Sequence, residues 1–240
     1  MAITISSRIY RQKFGPLIPG IHVTPFPYEC HDITSQMAMD ELDQLFKDSL
    51  HKDDVAAFLI EPVLVQTGFG RAGSLFASSS LHHGDVNPDI LTMAKGIASG
   101  FPLSCECEPG LLGGTYAGNT LSCAAAVATQ HVLREEALVE KSERMGVKLR
   151  ENLMNIQNTE YTKGLIGDVR RLGLMVGMEF TPDAENGIKN KFCQEAVKEG
   201  LLVLGCSTYE VVRFVPPLNV SKEEIDQACK KVEAVLKRIL

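Results

Sequence analysis

One lysine offers the clearest chemistry in this chain. It stands in Asp89-Ile90-Leu91-Thr92-Met93-Ala94-Lys95-Gly96-Ile97-Ala98-Ser99-Gly100-Phe101-Pro102-Leu103. Lys95 closes an apolar run, and the chain then turns glycine-rich. A lysine so placed is expected to lose solvent, and desolvation favours its neutral amine. A neutral amine attacks aldehydes, which is the requirement for a Schiff base with a carbonyl substrate or an aldehyde cofactor. The bland alternative is a lysine at a strand end with its stem on apolar surface and its head in water. The local pattern alone favours that alternative.

Three further stretches change the balance. They are Glu61-Pro62-Val63, Val65-Gln66-Thr67-Gly68-Phe69-Gly70-Arg71 and Gly113-Gly114-Thr115-Tyr116-Ala117-Gly118-Asn119-Thr120-Leu121. In this order around the Thr92-Met93-Ala94-Lys95-Gly96 lysine, they resemble the class III aminotransferases, nearest the 4-aminobutyrate and acetylornithine branch. The resemblance runs from Met1 to Leu240. It implies an α/β fold of the fold-type I class: a doubly wound, mainly parallel sheet, here incomplete, plus a small C-terminal α+β domain. It implies pyridoxal 5'-phosphate as cofactor, and amino transfer from an amino acid to a 2-oxo acid, with a 4-aminobutyrate-like or other omega-amino donor. Lys95 would hold the cofactor and move the proton. Val65 would pack on the ring, Gln66 would bond the ring hydroxyl, and Thr115 would reach the phosphate of a partner subunit, making the active unit a homodimer. Arg170 would bind the substrate carboxylate with its planar two-pronged guanidinium.

The chain also departs from that pattern. Relatives place a helix and a second strand between Glu-Pro-Val and the glutamine, whereas Val63 runs through Leu64 straight into Val65-Gln66. The aspartate that would pair with the cofactor's pyridine nitrogen is Val63 here, and Asp53, Asp54, Asp85 and Asp89 lie elsewhere. The glutamate that follows Glu-Pro-Val and pairs with the carboxylate-binding arginine is missing, and the glycine after Arg170 is Arg171. A second piece is shortened between Ser104 and Gly113. These departures suggest an N-terminally truncated, internally deleted relative, impaired in catalysis, that folds or pairs with a full-length subunit.

Elements must position these residues. Residues 7–28 are rich in Pro and Gly and read as extended loop. A helix is expected from Thr34 or Ser35, with Met39, Leu42, Leu45, Phe46 and Leu50 on one face. Val55 to Ile60 is short and unbroken in apolar character, as a strand buried on both faces reads. Asp85 to Pro88 has turn chemistry, and His82 and His83 before it read as surface residues. Gly113-Gly114-Thr115 is a turn suited to phosphate, and Asn119 or Thr120 can cap the helix that follows. That helical pattern continues to about Asn155, with a break near Glu135 to Leu138. Gly173 to Phe180 reads as a strand with Arg170 just before it, Ile188 to Glu199 as a helix ended by Gly200, and Leu201 to Leu204 and Val211 to Val215 as short strands. Ser221-Lys222-Glu223-Glu224 is a capping box ahead of an apolar face from Ile225 to Ile239. This gives a division into 1–135, a partial cofactor-binding domain, and 136–240, a linking helix and small domain.

Composition excludes other classes. At 240 residues with 45% hydrophobic and 22% charged content, the chain reads as an ordinary globular protein. The formal net charge of −6 comes without basic clusters, which argues against nucleic acid and anionic membranes. Seven cysteines, an odd number without a Cys-x-x-Cys pair, read as free thiols in a reducing compartment. No spaced histidine pair points to a metal. The first 28 residues lack acids and carry Arg8, Arg11 and Lys13. That weakly imitates a mitochondrial presequence, but the segment resembles interior sequence of the family. Cytoplasm and mitochondrial matrix both remain open.

Overall fold

In the computed structural model, the residues described are 15, 19–60, 69–79, 88–105, 118–206 and 209–240. Packing divides the chain into a unit over Met1–Ile60 and a unit over Glu61–Leu240.

The first unit holds one α-helix among its described residues, α1 (Ser35–Asp48). The start at Ser35 is where the sequence predicts it, and Thr34 caps the helix by accepting from the Met37 N–H. Its apolar face is only half covered: Ala38 alone is buried, and Met39 is exposed. Residues 55–60 form no strand. Phe58, Leu59 and Ile60 are 64%, 70% and 66% exposed, against the expectation of a strand buried on both faces. The reason is hydrogen bonding. An apolar run becomes a sheet strand only when neighbours accept its backbone groups, and among the described residues no strand lies beside this one.

The second unit is built around a four-stranded sheet. β1 (Met93–Ala94) and β2 (Ser104–Cys105) make a small antiparallel pair around the Lys95 turn. α2 (Thr120–Glu135) and α3 (Leu138–Gln157) follow. Asn119 caps α2 by accepting from the Leu121 and Ser122 N–H groups, and Ala137 at φ 47° makes the break before α3. β3 (Ile166–Leu172) and β4 (Met175–Phe180) form a tight hairpin. α4 (Ile188–Lys198) ends before Gly200, whose φ is 68°. β5 (Leu204–Cys206), β6 (Val211–Phe214) and α5 (Lys222–Ile239) complete the chain. The sheet order is β3-β4-β6-β5, antiparallel throughout. α3, α4 and α5 cover one face. Met145, Leu149, Leu153, Val176, Met178, Phe192, Val212, Val232 and Leu236 lie in that core. This is the small α+β domain expected from the sequence. β3 was not foreseen: Arg170 lies within it, not before a strand. β5 starts three residues later than the predicted strand.

A second, smaller core joins Phe69, Ile97, Ala98, Leu133 and Leu138. It seats the turn that bears Lys95 against α2. The loop 69–79 is fastened to the small domain by close backbone approach. The Leu174 N–H donates to the Arg71 carbonyl at 2.8 Å, and the buried Ser142 hydroxyl donates to the Gly70 carbonyl at 2.6 Å. Gly173, at φ 53°, has no room for a side chain, since a Cβ there would sit 2.2 Å from the Arg71 carbonyl oxygen. A Cβ on Gly146 would meet the Gly173 carbonyl oxygen at 1.8 Å.

Candidate active site

Lys95 opens a 3-10 turn over Lys95–Ala98, directly after β1. Its backbone is left-handed, with φ 57°, and the turn closes on Ser99 at φ 49°. For non-glycine residues such conformations are uncommon and persist only where surrounding packing imposes them. Here the packing is visible. Ile97 and Ala98 are buried beneath the turn, and the Ser99 and Thr129 hydroxyls share a hydrogen bond of 2.9 Å with α2.

Lys95 borders a cavity of about 760 Å³. Its walls are mainly apolar, with Phe69, Ala125, Val132 and Leu218 among them, and its charged lining residues are Lys95, Arg71 and Glu136. That volume lies within the roughly 300–1,000 Å³ of small-molecule sites, and apolar walls with a few polar groups are their usual composition. The sequence predicts a lysine drawn out of water. In the structure Lys95 is exposed. The reason is its place at the rim of an open cavity, after a two-residue antiparallel strand and not at the mouth of a buried parallel sheet.

Arg71 was missed as a site residue. It closes the quoted motif Val65 to Arg71, but its position in the cavity wall needs the fold to be seen. Nη1 donates to the Pro216 carbonyl at 2.6 Å. Burial lowers the pKa of its guanidinium from the ordinary value.

Arg170 sits apart, on the sheet face not covered by the helices, and is not among the residues lining the Lys95 cavity. Nη1 lies 2.6 Å from the buried Glu179 carboxylate and 2.8 Å from Asp168. Its side chain crosses Gly177, the residue opposite it in β4; a Cβ there would lie 3.8 Å from the Arg170 Cγ. Across Gly177 the register places Arg213, whose buried Nε has no hydrogen-bond partner among the described residues. The one signal for Arg213 in the sequence is a charge interrupting the apolar run Val211-Val212-Arg213-Phe214. Val65, Gln66 and Thr115 lie outside the described residues, as do Val63, His82, His83 and the Gly113-Gly114-Thr115 turn. The structure thus brings Lys95 together with Arg71 and leaves Arg170 on another surface.

The family described as aminotransferase class-III matches residues 65–236. A 5-aminovalerate aminotransferase of Pseudomonas putida is 33% identical over 93% of this chain and 62% of its own length. An ornithine aminotransferase of Halalkalibacterium halodurans is 36% identical over 98% of the chain and 63% of its own length. The chain therefore spans less than two thirds of these relatives. The solved ornithine aminotransferase of Toxoplasma gondii, described with pyridoxal phosphate partly occupying its active site, superposes with a TM-score of 0.79. It is 25% identical, with 98% of this chain and 59% of that one covered. The fold is that of the fold-type I transaminases, and pyridoxal 5'-phosphate is the cofactor of the family. By sequence and by fold, this chain belongs to the class-III aminotransferases.

Proposed function

We propose that the Lys95 cavity is the cofactor and reaction site of a pyridoxal-phosphate-dependent aminotransferase. The amino group would move from an omega-amino acid, such as 5-aminovalerate, ornithine or 4-aminobutyrate, to a 2-oxo acid. One observation carries this reading: the only amine lining the described cavity is Lys95, inside the segment that matches the family. The residues fit the group in size and charge, since the walls offer an amine, a guanidinium and apolar surface for a flat ring. When bound, the cofactor supplies an electron-withdrawing ring that holds the amino group between half-reactions. Lys95 Nζ is the nucleophile toward the aldehyde and the base that takes a proton from the amine-bearing carbon of the donor. Val65, Gln66 and Thr115 are the ring and phosphate contacts, Thr115 toward a partner subunit of a homodimer. In this reading residues 1–135 derive from the cofactor-binding domain, and 136–240 supply the linking helix and small domain. Arg170 is the carboxylate-binding residue by resemblance, and a substrate reaching it displaces Glu179 or Asp168.

Two observations favour a second reading, an impaired relative that pairs with a full-length subunit. Arg170 is already held by two carboxylates, and Lys95 stands in water at the rim of its cavity. One experiment addresses both. The chain is incubated with pyridoxal phosphate, reduced with borohydride and mapped by peptide mass. We expect the added mass on the Lys95 peptide, and its loss in Lys95→Ala. A label that survives the substitution removes Lys95 from the assignment. Amino transfer from 5-aminovalerate to 2-oxoglutarate is then timed with the same protein. Each about 1.4 kcal/mol of missing transition-state stabilisation costs tenfold in rate, so a labelled but inert chain selects the second reading.

A further inference from the structure

Burying a cation is costly unless something negative faces it. Arg71 has no carboxylate partner among the described residues. Among those residues its hydrogen-bonded acceptor is the neutral Pro216 carbonyl at 2.6 Å. Most of its donors remain for whatever occupies the cavity it lines. The guanidinium is also held in place. The Arg71 carbonyl accepts from Leu174 N–H at 2.8 Å and from the Ser142 hydroxyl at 3.2 Å, while Pro216 fixes the far end of the side chain. A donor fork whose backbone and tip are both fastened loses little freedom when it engages a ligand. Among the described residues, Glu136 and Lys95 share the cavity, so the formal charges of its described lining sum to one positive charge. Lys141, on α3, is turned to the Asn219 carbonyl at 2.8 Å.

We propose that Arg71 is the anion anchor of the Lys95 cavity, gripping a ligand's carboxylate or phosphate while the rest of the ligand faces Lys95. The planar fork matches either group through paired hydrogen bonds. The ligand's identity rests on the function proposed above; the anchor itself does not. It also differs from the assignment of Arg170, which lies outside this cavity.

The test reads arginine chemistry directly. Phenylglyoxal modifies accessible guanidinium groups, and peptide mapping follows Arg71 beside the exposed Arg144 in the intact chain. Inorganic phosphate or glutarate at about ten times its dissociation constant is expected to slow modification of Arg71 by about tenfold, since only the unoccupied fraction reacts, and to leave Arg144 unchanged. If neither anion slows Arg71 more than Arg144, the proposal is overturned. The same protection is expected in Lys95→Ala. Protection with no cofactor label on Lys95 defeats the aminotransferase reading and keeps the anchor, and a Lys95 label without protection does the reverse. Arg71→Lys, which keeps the charge but loses the fork, identifies the source. If the anion is the cofactor's phosphate, the preference of Lys95 for pyridoxal phosphate over pyridoxal falls about tenfold in this variant. If it is a substrate carboxylate, that preference holds, and in the unaltered chain glutarate slows modification of Arg71 where inorganic phosphate does not.

Discussion

At the scale of single residues, chemistry follows exposure more than composition. Cys30, Cys123, Cys193, Cys206 and Cys229 are free thiols, yet their surroundings differ. Cys30 and Cys123 are exposed, whereas burial pushes the Cys229 thiol up to about 11. The thiolate is the reactive form, so at pH 8 iodoacetamide is expected to alkylate Cys30 and Cys123 first and Cys229 last, as mass mapping over time would read. Equal rates at all three would contradict the burial of α5 against α3. Lys95 stood out among its neighbours Met93-Ala94 and Gly96, but the local pattern alone favoured a strand-end lysine, and the motifs around it carried the resemblance. Its exposure was not legible, since solvent access depends on residues far away in sequence. Arg71 and Arg213 were illegible for the same reason: one meets Pro216, the other Gly177 across a strand pair. Arg170 shows the opposite case. Its motif was readable, but Glu179, which occupies it, is brought near only by the β3–β4 register.

At the scale of elements, signals confined to a few residues were readable. The helix start at Ser35, the Asn119 cap, the break before Leu138 and the reciprocal Ser221–Glu224 capping box stand where the sequence places them. β3 escaped because Ile166-Gly167-Asp168-Val169-Arg170-Arg171-Leu172 mixes charge and glycine with apolar residues, and a bulge between Ile166 and Asp168 disturbs its alternation. The run 55–60 misled in the other direction, because apolar content says nothing about whether a partner strand is present. The joint between loop 69–79 and the small domain depends on two glycines that sequence reading did not single out. Gly146→Ala forces a methyl into the Gly173 backbone. It is expected to cost about 1–3 kcal/mol, as overpacking does, and to lower the thermal midpoint. Lys148→Ala, on the same helix but half exposed, should shift it far less.

At the scale of the whole molecule, charge sets a window of stability. Glu195 is held below its ordinary 4.5 by Lys198 and Arg238, Glu224 by the Ser221 cap, and Glu233 by Lys237. Asp226 is held below 3.8 by Lys148 and Asn152. Groups lowered in the folded state stabilise it above their unfolded values, and that stabilisation disappears as they take up protons in acid. Lys148 and Lys237 are raised above 10.5 by Asp226 and Glu233, so their share persists below that value and is lost in alkali. The thermal midpoint is therefore expected to be flat between about pH 5 and pH 8 and to fall on either side, the buried Cys229 thiol adding to the alkaline fall from its ordinary value of 9.0 upward. Asp226→Asn should soften the acid limb, because one of these protonation sites is gone. An unchanged acid limb in the variant would mean the Lys148 contact carries no weight. The fold class was legible because it rests on order and length of segments spread over the chain. The candidate site was only partly so, since its walls come from residues 69–71, 94–101, 125–138 and 218–219.

The bare Phe58-Leu59-Ile60 ridge carries a practical implication. Six consecutive apolar residues without proline are the kind of segment that zips against copies of itself in concentrated solution. Lys52, Asp53 and Asp54 flank it on one side as charged gatekeepers, so low salt, which leaves those charges unscreened, is the condition under which the protein should store longest without clumping.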